Sequence, residues 1–224
     1  MTSKLSPSSL NLMEECPRCF WLQVVKNKKR PAGIFPSLPS GMDGILKTHF
    51  DRFMEKGKMP PELKIKECEG CNLFDDKELL KIWRSNFKGI SFTDKEGNVL
   101  HGAVDNILVK GKKLVVLDYK TRGFPLKEDT AEHYRNQLDV YNFLLRKMGY
   151  ETEDFAFLLF YVPKEVMETG EVIFNTQIVK MKVDVDAAEK LWMKALKLLN
   201  GKCPVRHAED DPEKCEWCKL LGEE

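Results

Sequence analysis

Asp105, Asp118 and Lys120 are the residues whose types and spacing could do chemistry in this chain. Asp105 precedes the run Asn106-Ile107-Leu108-Val109, Asp118 follows Leu114-Val115-Val116-Leu117, and Lys110-Gly111-Lys112-Lys113 lies between. Two runs rich in Val, Leu and Ile around a Gly-containing turn predict an antiparallel hairpin. With Gly111-Lys112 as a two-residue turn, Lys110 faces Lys113 and Asp105 falls opposite Asp118; a four-residue loop gives the same register. Directly opposite Cβ atoms lie roughly 4.5–5.5 Å apart, where like charges repel. Facing carboxylates therefore require a cation. Lys120, two residues beyond Asp118, projects from the same face. Two hard oxygen donors and an ammonium at one point are the groups of a metal-dependent phosphodiester site.

The elements around them must hold these charges out of bulk water. Ile107, Val109, Leu114 and Val116 share the aspartate face, and Val104, Leu108, Val115 and Leu117 line the other. Both faces are apolar, as on a strand covered on both sides, so simple solvated charges are not expected here. A helix over 131–148, closed by Gly149, follows. On it His133, Gln137 and Tyr141 recur at i, i+4 beside an apolar stripe of Tyr134, Leu138, Leu145 and Met148. Gln137 and Tyr141 thus sit at the edge of the buried face, able to reach over the carboxylates.

Earlier in the chain, Ser6 and Pro7 start a helix that runs toward Leu22, with Pro17 kinking or dividing it. Segment 30–39 has too many prolines for a regular element. Helices are expected over 41–56 and 75–88, the latter capped by Asp75 or Asp76, and strands near 90–92 and from Val99. After the 131–148 helix, a buried strand over 155–162 ended by Pro163, a strand over 172–183 and a helix over 187–199 capped by Asp184 or Asp186 complete the order. The order predicts an α/β fold with a mixed sheet flanked by helices.

The 224 residues suit one domain spanning 1–224, and 42% apolar with 32% charged residues is an ordinary soluble composition. A net charge of +1 announces no global field for nucleic acid. The basic run Lys26-Asn27-Lys28-Lys29-Arg30 is at least as well explained as a solvated helix end. No apolar stretch reaches 18 residues and no signal-peptide layout opens the chain, so a cytoplasmic protein with reduced thiols and no membrane partner is expected.

Three motifs in order now carry a specific resemblance: Gly102-x-x-Asp105, Asp118-Tyr119-Lys120 and Gln137-x-x-x-Tyr141. The chain resembles the PD-(D/E)XK nuclease superfamily in its RecB-like branch, as does its start, Ser6-x-Ser8-x-Leu10 followed by Cys16-Pro17. The resemblance implies a PD-(D/E)XK core in which Asp105, Asp118 and the Tyr119 carbonyl hold Mg²⁺ or Mn²⁺. Lys120 would orient or deprotonate the attacking water, and Gln137 and Tyr141 would position the substrate strand. One position departs. Where the branch often has a metal-binding histidine, four residues before an acidic one, this chain has Lys47, with Asp51 four residues on and His49 two places away. Either a local shift recruits His49 or the site works without histidine.

The cysteines come as Cys16-x-x-Cys19, Cys68-x-x-Cys71 and Cys215-x-x-Cys218, with Cys203 alone. Some RecB-like nucleases join their termini through a four-iron cluster, and the resemblance suggests this for Cys16, Cys215 and Cys218. Glu224 stands where the last cysteine of that pattern would be, leaving Cys19 or Cys203 to complete the set. Two chelating pairs, Cys16 with Cys19 and Cys215 with Cys218, favour a closed zinc or 4Fe-4S site pinning the first helix (about 5–25) to the tail (about 201–224). Free thiols are the alternative. Cys68 and Cys71 are expected on a loop, without metal.

The expected function is a metal-dependent deoxyribonuclease acting on single strands or ends, in repair, recombination or defence. Its near-neutral charge suggests a confined basic channel or a protein partner, such as a helicase or defence complex, that delivers the DNA. A catalytically silent nucleic-acid- or partner-binding member of the fold is the alternative. A thiolate-based redox or metal sensor is a third.

Overall fold

The computed structural model describes residues 2–207 and 215–220. A two-residue strand β1 (Lys4–Leu5) leads into α1 (Pro7–Glu15) and α2 (Pro17–Val25). Ser6 closes a capping box on α1: its Oγ accepts from the Ser9 N–H, and Ser9 Oγ accepts from the Ser6 N–H. Cys16 precedes Pro17, and a proline drives the residue before it out of helical space. Cys16 is accordingly extended (φ −156°, ψ 100°) and divides the two helices, its Sγ accepting from the Cys19 N–H.

Then follow α3 (Ser37–Met54), β2 (Cys71–Leu73), α4 (Lys77–Trp83), β3 (Ile90–Thr93), β4 (Val99–Gly102), β5 (Asn106–Lys110) and β6 (Lys113–Thr121). The chain ends with α5 (Arg135–Lys147), β7 (Phe155–Val166), β8 (Val172–Lys182), α6 (Val185–Leu199) and α7 (Trp217–Leu220). The larger sheet has the order β2-β5-β6-β7-β8 and is mixed, since β6 and β7 run parallel and its other neighbours antiparallel. A smaller sheet, β1-β4-β3, stands apart.

The β5–β6 hairpin has the expected register: Lys110 pairs Lys113 and Asn106 pairs Leu117. Gly111 takes φ +61° in the turn, a left-handed conformation that suits glycine. Alternation then sorts the sheet into two cores. Ile107, Val116, Leu158 and Phe160 face α1, α2, α5 and α6, burying Leu10, Phe20, Leu138, Leu144 and Trp192. Leu108, Val115, Leu117, Phe157 and Leu159 pack against Leu46 and Phe50 of α3. Each such side chain contributes about 1.5–3 kcal/mol relative to exposure. The sheet is thus the middle of three layers, a mixed α/β architecture.

Several expectations are corrected. Val104 belongs to the first core with Ile107 and Val116, because strict alternation stops where the chain bends at 103–105, outside the ladder. The third helix ends at Trp83 rather than 88. Gly89, at φ +56°, donates its N–H to the Ile82 carbonyl and turns the chain into β3. The second helix starts earlier, at Ser37, with Pro39 tolerated in its first turn. The 131–148 helix is 3₁₀ over Glu132–Tyr134 before α5, and Met148 is partly exposed. Pro163 does not end β7. β6 stops pairing at Tyr161, so beyond it β7 has β8 alone, and a register shift at Pro163/Glu165 absorbs the missing N–H. Cys71 is not on a loop but opens β2, paired with Lys110.

Candidate active site

Asp118 lies on β6, between β5 and β7, and is only 1% exposed. Asp105 sits at the bend just before β5, where its Oδ2 accepts the Tyr119 N–H at 3.0 Å. Two helix-borne cations hold Asp105 from outside the sheet. Lys47 Nζ is 3.2 Å from Asp105 Oδ1 and 2.7 Å from Asp43 Oδ2. Arg84, the C-cap of α4, donates from Nε to the Asp105 carbonyl at 2.8 Å and from Nη1 to Asp51 Oδ1 at 2.7 Å. Asp43, Lys47 and Asp51 recur every four residues along one side of α3, the spacing that stacks side chains on a helix. That spacing was visible in the sequence; nothing local said that this side faces Asp105. Arg84 carried no such signal.

Across the cleft, Lys120 Nζ lies 2.5 Å from Asp118 Oδ2 and donates to Gln137 Oε1 at 3.1 Å. It also stands 4.5 Å above the Tyr134 ring centroid, a cation–π contact. Gln137 Nε2 donates to Asp118 Oδ1 at 3.1 Å and to the Tyr141 hydroxyl at 2.8 Å. One glutamine thus ties α5 to both members of the β6 pair. Gly102 makes this closeness possible: a Cβ there would lie 2.5 Å from Tyr141 Cε1. The Tyr119 side chain turns to the opposite core, where its hydroxyl accepts from Asn106 Nδ2 at 2.6 Å.

Burial pushes the Asp118 carboxyl up to about 7; Lys120 opposes this and the neighbouring Asp105 adds to it. Burial works against the Lys120 ammonium, but the Asp118 carboxylate outweighs it and leaves Lys120 raised. The Tyr141 hydroxyl is raised, by burial first and by Asp118 second. Asp118 Oδ2, wholly buried, is met by the Lys120 ammonium. Two neighbouring carboxylates, Asp105 and Asp118, form a donor set of hard oxygens that fits a divalent cation. Asp43, Lys47, Arg84, Asp105, Asp118 and Lys120 line this cleft, of about 430 Å³.

The two histidines singled out in the sequence do not join it. His49 faces Glu62 at 3.0 Å and packs edge-on against Phe50 and Phe53, while Tyr161 donates to the same Glu62 at 3.1 Å. Two places along a helix turn the side chain by more than half a circle, so Lys47 meets Asp105 and His49 cannot. His133, in the 3₁₀ turn, is exposed, 3.9 Å from Asp129.

A second cluster lies elsewhere. The sulfurs of Cys16, Cys19, Cys215 and Cys218 all fall within 4.8 Å of one another, the one cysteine group able to hold a metal among the described residues. Cys16 and Cys218 are 3.2 Å apart, Cys19 and Cys215 3.6 Å, and Cys19 and Cys218 3.8 Å. Arg30 Nη2 donates to Cys215 Sγ at 3.1 Å. Burial pushes the Cys19 thiol up to about 11. Burial pushes Cys215 up as well, but hydrogen bonds from the Cys19 thiol and the Cys218 N–H prevail and bring it down to about 7. Four sulfurs suit zinc or an iron–sulfur cluster. Cys203 stands outside the set, accepting from Arg18 Nη1 at 3.3 Å, and Cys68 and Cys71 are buried in the second core. Glu224 lies outside the described residues.

No curated protein matches the chain. Among solved structures, the crystal structure of SSO0001 is similar at 14% identity over 89% of this chain and 78% of that one. Its TM-score is 0.37, a likeness that fixes no detail of this molecule. A model of the PD-(D/E)XK nuclease superfamily matches residues 42–221. That span covers most of the chain and holds most of α3, the hairpin and α5, the three elements that meet at Asp105 and Asp118. The superfamily's members are typically nucleases that use Mg²⁺ or Mn²⁺, and to it this chain belongs.

Proposed function

We propose that the chain is a divalent-metal-dependent deoxyribonuclease of the RecB-like branch, hydrolysing phosphodiester bonds in single strands or at ends. One observation carries the reading: Asp105, Asp118, Lys120 and Gln137 converge on the floor of one cleft in a member of a nuclease superfamily. Asp105, Asp118 and the main-chain carbonyl of Tyr119 would hold Mg²⁺ or Mn²⁺, which would supply activation of the attacking water and neutralisation of phosphate charge. Lys120 orients that water and meets the charge that develops on the phosphoryl oxygens. Gln137, which accepts from Lys120 and donates to Asp118, keeps both aimed. Tyr141 backs Gln137 and positions the strand. Lys47, on Asp43 and Asp105, supplies a fixed cation where a histidine would add a metal ligand, so we read the site as histidine-free.

The four clustered cysteines hold zinc or a 4Fe-4S cluster that pins the first helices to the C-terminal segment of a single nuclease domain. We place the protein in the cytoplasm, in repair, recombination or defence, with a helicase or defence complex as the partner that delivers DNA. No helix among the described residues is long and apolar enough to cross a membrane. A catalytically silent strand- or partner-binding role is the second reading; the complete Asp105–Asp118–Lys120 set counts against it. The test is cleavage of labelled single- and double-stranded DNA with Mn²⁺ or Mg²⁺, using anaerobically purified protein beside Asp118→Ala. Cleavage that disappears in the variant is expected. A folded, metal-replete protein that cuts nothing would leave the silent reading.

A further inference from the structure

Beside the catalytic cleft lies a second one of opposite character. Its volume is about 370 Å³, at the lower end of the roughly 300–1,000 Å³ typical of small-ligand sites. Asn86, Ala103, Gln137 and Tyr141 line both clefts, so the second is a direct extension of the first past the Gln137–Tyr141 pair. The catalytic side carries Asp43, Lys47, Arg84, Asp105, Asp118 and Lys120. The adjoining side carries Ser6, Ser8, Asn11, Asn86 and His101, and among the described residues no lysine, arginine or carboxylate lines it. Burial, and the charge of Lys4 after it, hold the His101 ring down toward its neutral form.

This contrast restricts what can sit there. Nucleic-acid backbone draws much of its binding energy from cations, and a phosphate in the second cleft would find none in its walls. Hydroxyl and amide groups instead offer donors and acceptors together, the complement of a base edge or a sugar. A paired base has its edge engaged and its faces stacked, so it reaches such a recess only after being unpaired. Phe87, the residue after Asn86, is 93% exposed, a bare aromatic surface next in chain to the shared wall. Base–aromatic stacking is worth about 1–3 kcal/mol per base and tolerates any sequence.

We infer that this neutral cleft seats one unpaired nucleotide, the neighbour of the phosphate held in the catalytic cleft, with Phe87 as a stacking face at its rim. The inference rests on the nuclease reading for which phosphate is cut, and it makes single-stranded nucleic acid the substrate class. It accounts for a strand-binding protein with a net charge of only +1, since bases rather than phosphates supply part of the affinity.

The test measures binding and cutting separately on the full protein. A fluorescein-labelled single-stranded oligothymidylate and a duplex of the same length are titrated in Ca²⁺ and read by anisotropy; the same oligonucleotides are then incubated with Mn²⁺. Ser8→Trp places a bulky ring at an exposed position in the wall of the neutral cleft, and Phe87→Ala removes an exposed ring at little cost to folding. Single strand bound more tightly than duplex, with about 10-fold weaker binding in each variant, supports the subsite. Wild-type cleavage with single-strand affinity unchanged in both variants overturns the subsite and leaves the nuclease reading standing. Weakened binding in the variants beside a wild type that never cuts supports the subsite and removes the nuclease reading. A wild type that binds duplex and single strand equally overturns the inference.

Discussion

Asp118 and Lys120 stand two residues apart on a strand paired on both sides, whereas Cys16 and Cys218 meet across 202 residues of chain, with Leu12 and Trp217 among the residues packed beside the sulfurs. The cleft is preformed by ladder register, by α5 packed over Gly102 and by Arg84 on the Asp105 carbonyl. A cation added there would meet carboxylates already in place. The cysteine cluster gathers four sulfurs, from segments far apart in sequence, at a range that a metal could bond. In the first region the fold makes the site; in the second the site helps make the fold.

The largest effect that could break this contrast is catalytic. Asp118→Ala is expected to lower Mn²⁺-dependent cleavage by on the order of 10³-fold. The isosteric Asp118→Asn, which can still accept from Lys120, should lose cleavage with a melting temperature near the wild type's, whereas the alanine variant also strands the buried Lys120 ammonium. A large loss of stability in Asp118→Asn would mean the carboxylate holds the sheet together. The cluster should answer in reverse. Cys218→Ser or metal chelation removes a cross-link closing most of the chain, worth on the order of 4 kcal/mol by analogy with a long-loop disulfide. That corresponds to a melting temperature about 10 °C lower, with protease releasing the C-terminal cysteine segment first. Unchanged melting and proteolysis would reduce the cluster to free thiols.

Gly102→Ala probes the packing under the cleft. The added Cβ meets the Tyr141 ring, so a loss of about 1–3 kcal/mol in urea unfolding is expected, with weaker cleavage as the Gln137–Tyr141 bond shifts. Lys47→Met sharpens the comparison from the electrostatic side. With its ammonium gone from Asp43 and Asp105, calorimetry should find Mn²⁺ bound about 10-fold more tightly, a change of about 1.4 kcal/mol. Weaker binding would mean that Lys47 orders Asp105 more than it competes for it.

The smallest effect lies below the cleft, at Asp139 on α5. Its Oδ1 accepts the Asp184 N–H at 2.9 Å, and burial raises its carboxyl to about 6 despite that bond. A carboxyl raised on folding binds more protons folded than unfolded, so stability falls as pH climbs from about 4 toward 6 and is level above. Compared across that range, Asp139→Asn should gain on the wild type by on the order of 1 kcal/mol. Parallel unfolding midpoints at every pH would remove the buried carboxylate from the account.

Much of the architecture was legible because it is local. Period-two alternation and the Gly111 turn set the hairpin register through Asn106 and Leu117, which brings the bend at Asp105 next to Asp118, and Ser6, Pro7, Asp184 and Gly149 mark helix ends through hydrogen-bonding and backbone preferences that act within a few residues. Pro17 likewise divides α1 from α2 by a clash with its own neighbour. Tertiary structure decided the rest. Periodicity says which side chains share a face, not which distant surface that face meets. The parallel pairing of β6 with β7, the turn of Lys47 rather than His49 toward Asp105, the arrival of Arg84 on the Asp105 carbonyl and the choice of Cys19 over Cys203 beside Cys218 all join residues far apart in sequence. Such meetings are set by packing and by the closure of long loops, quantities that belong to the whole chain and to no segment of it.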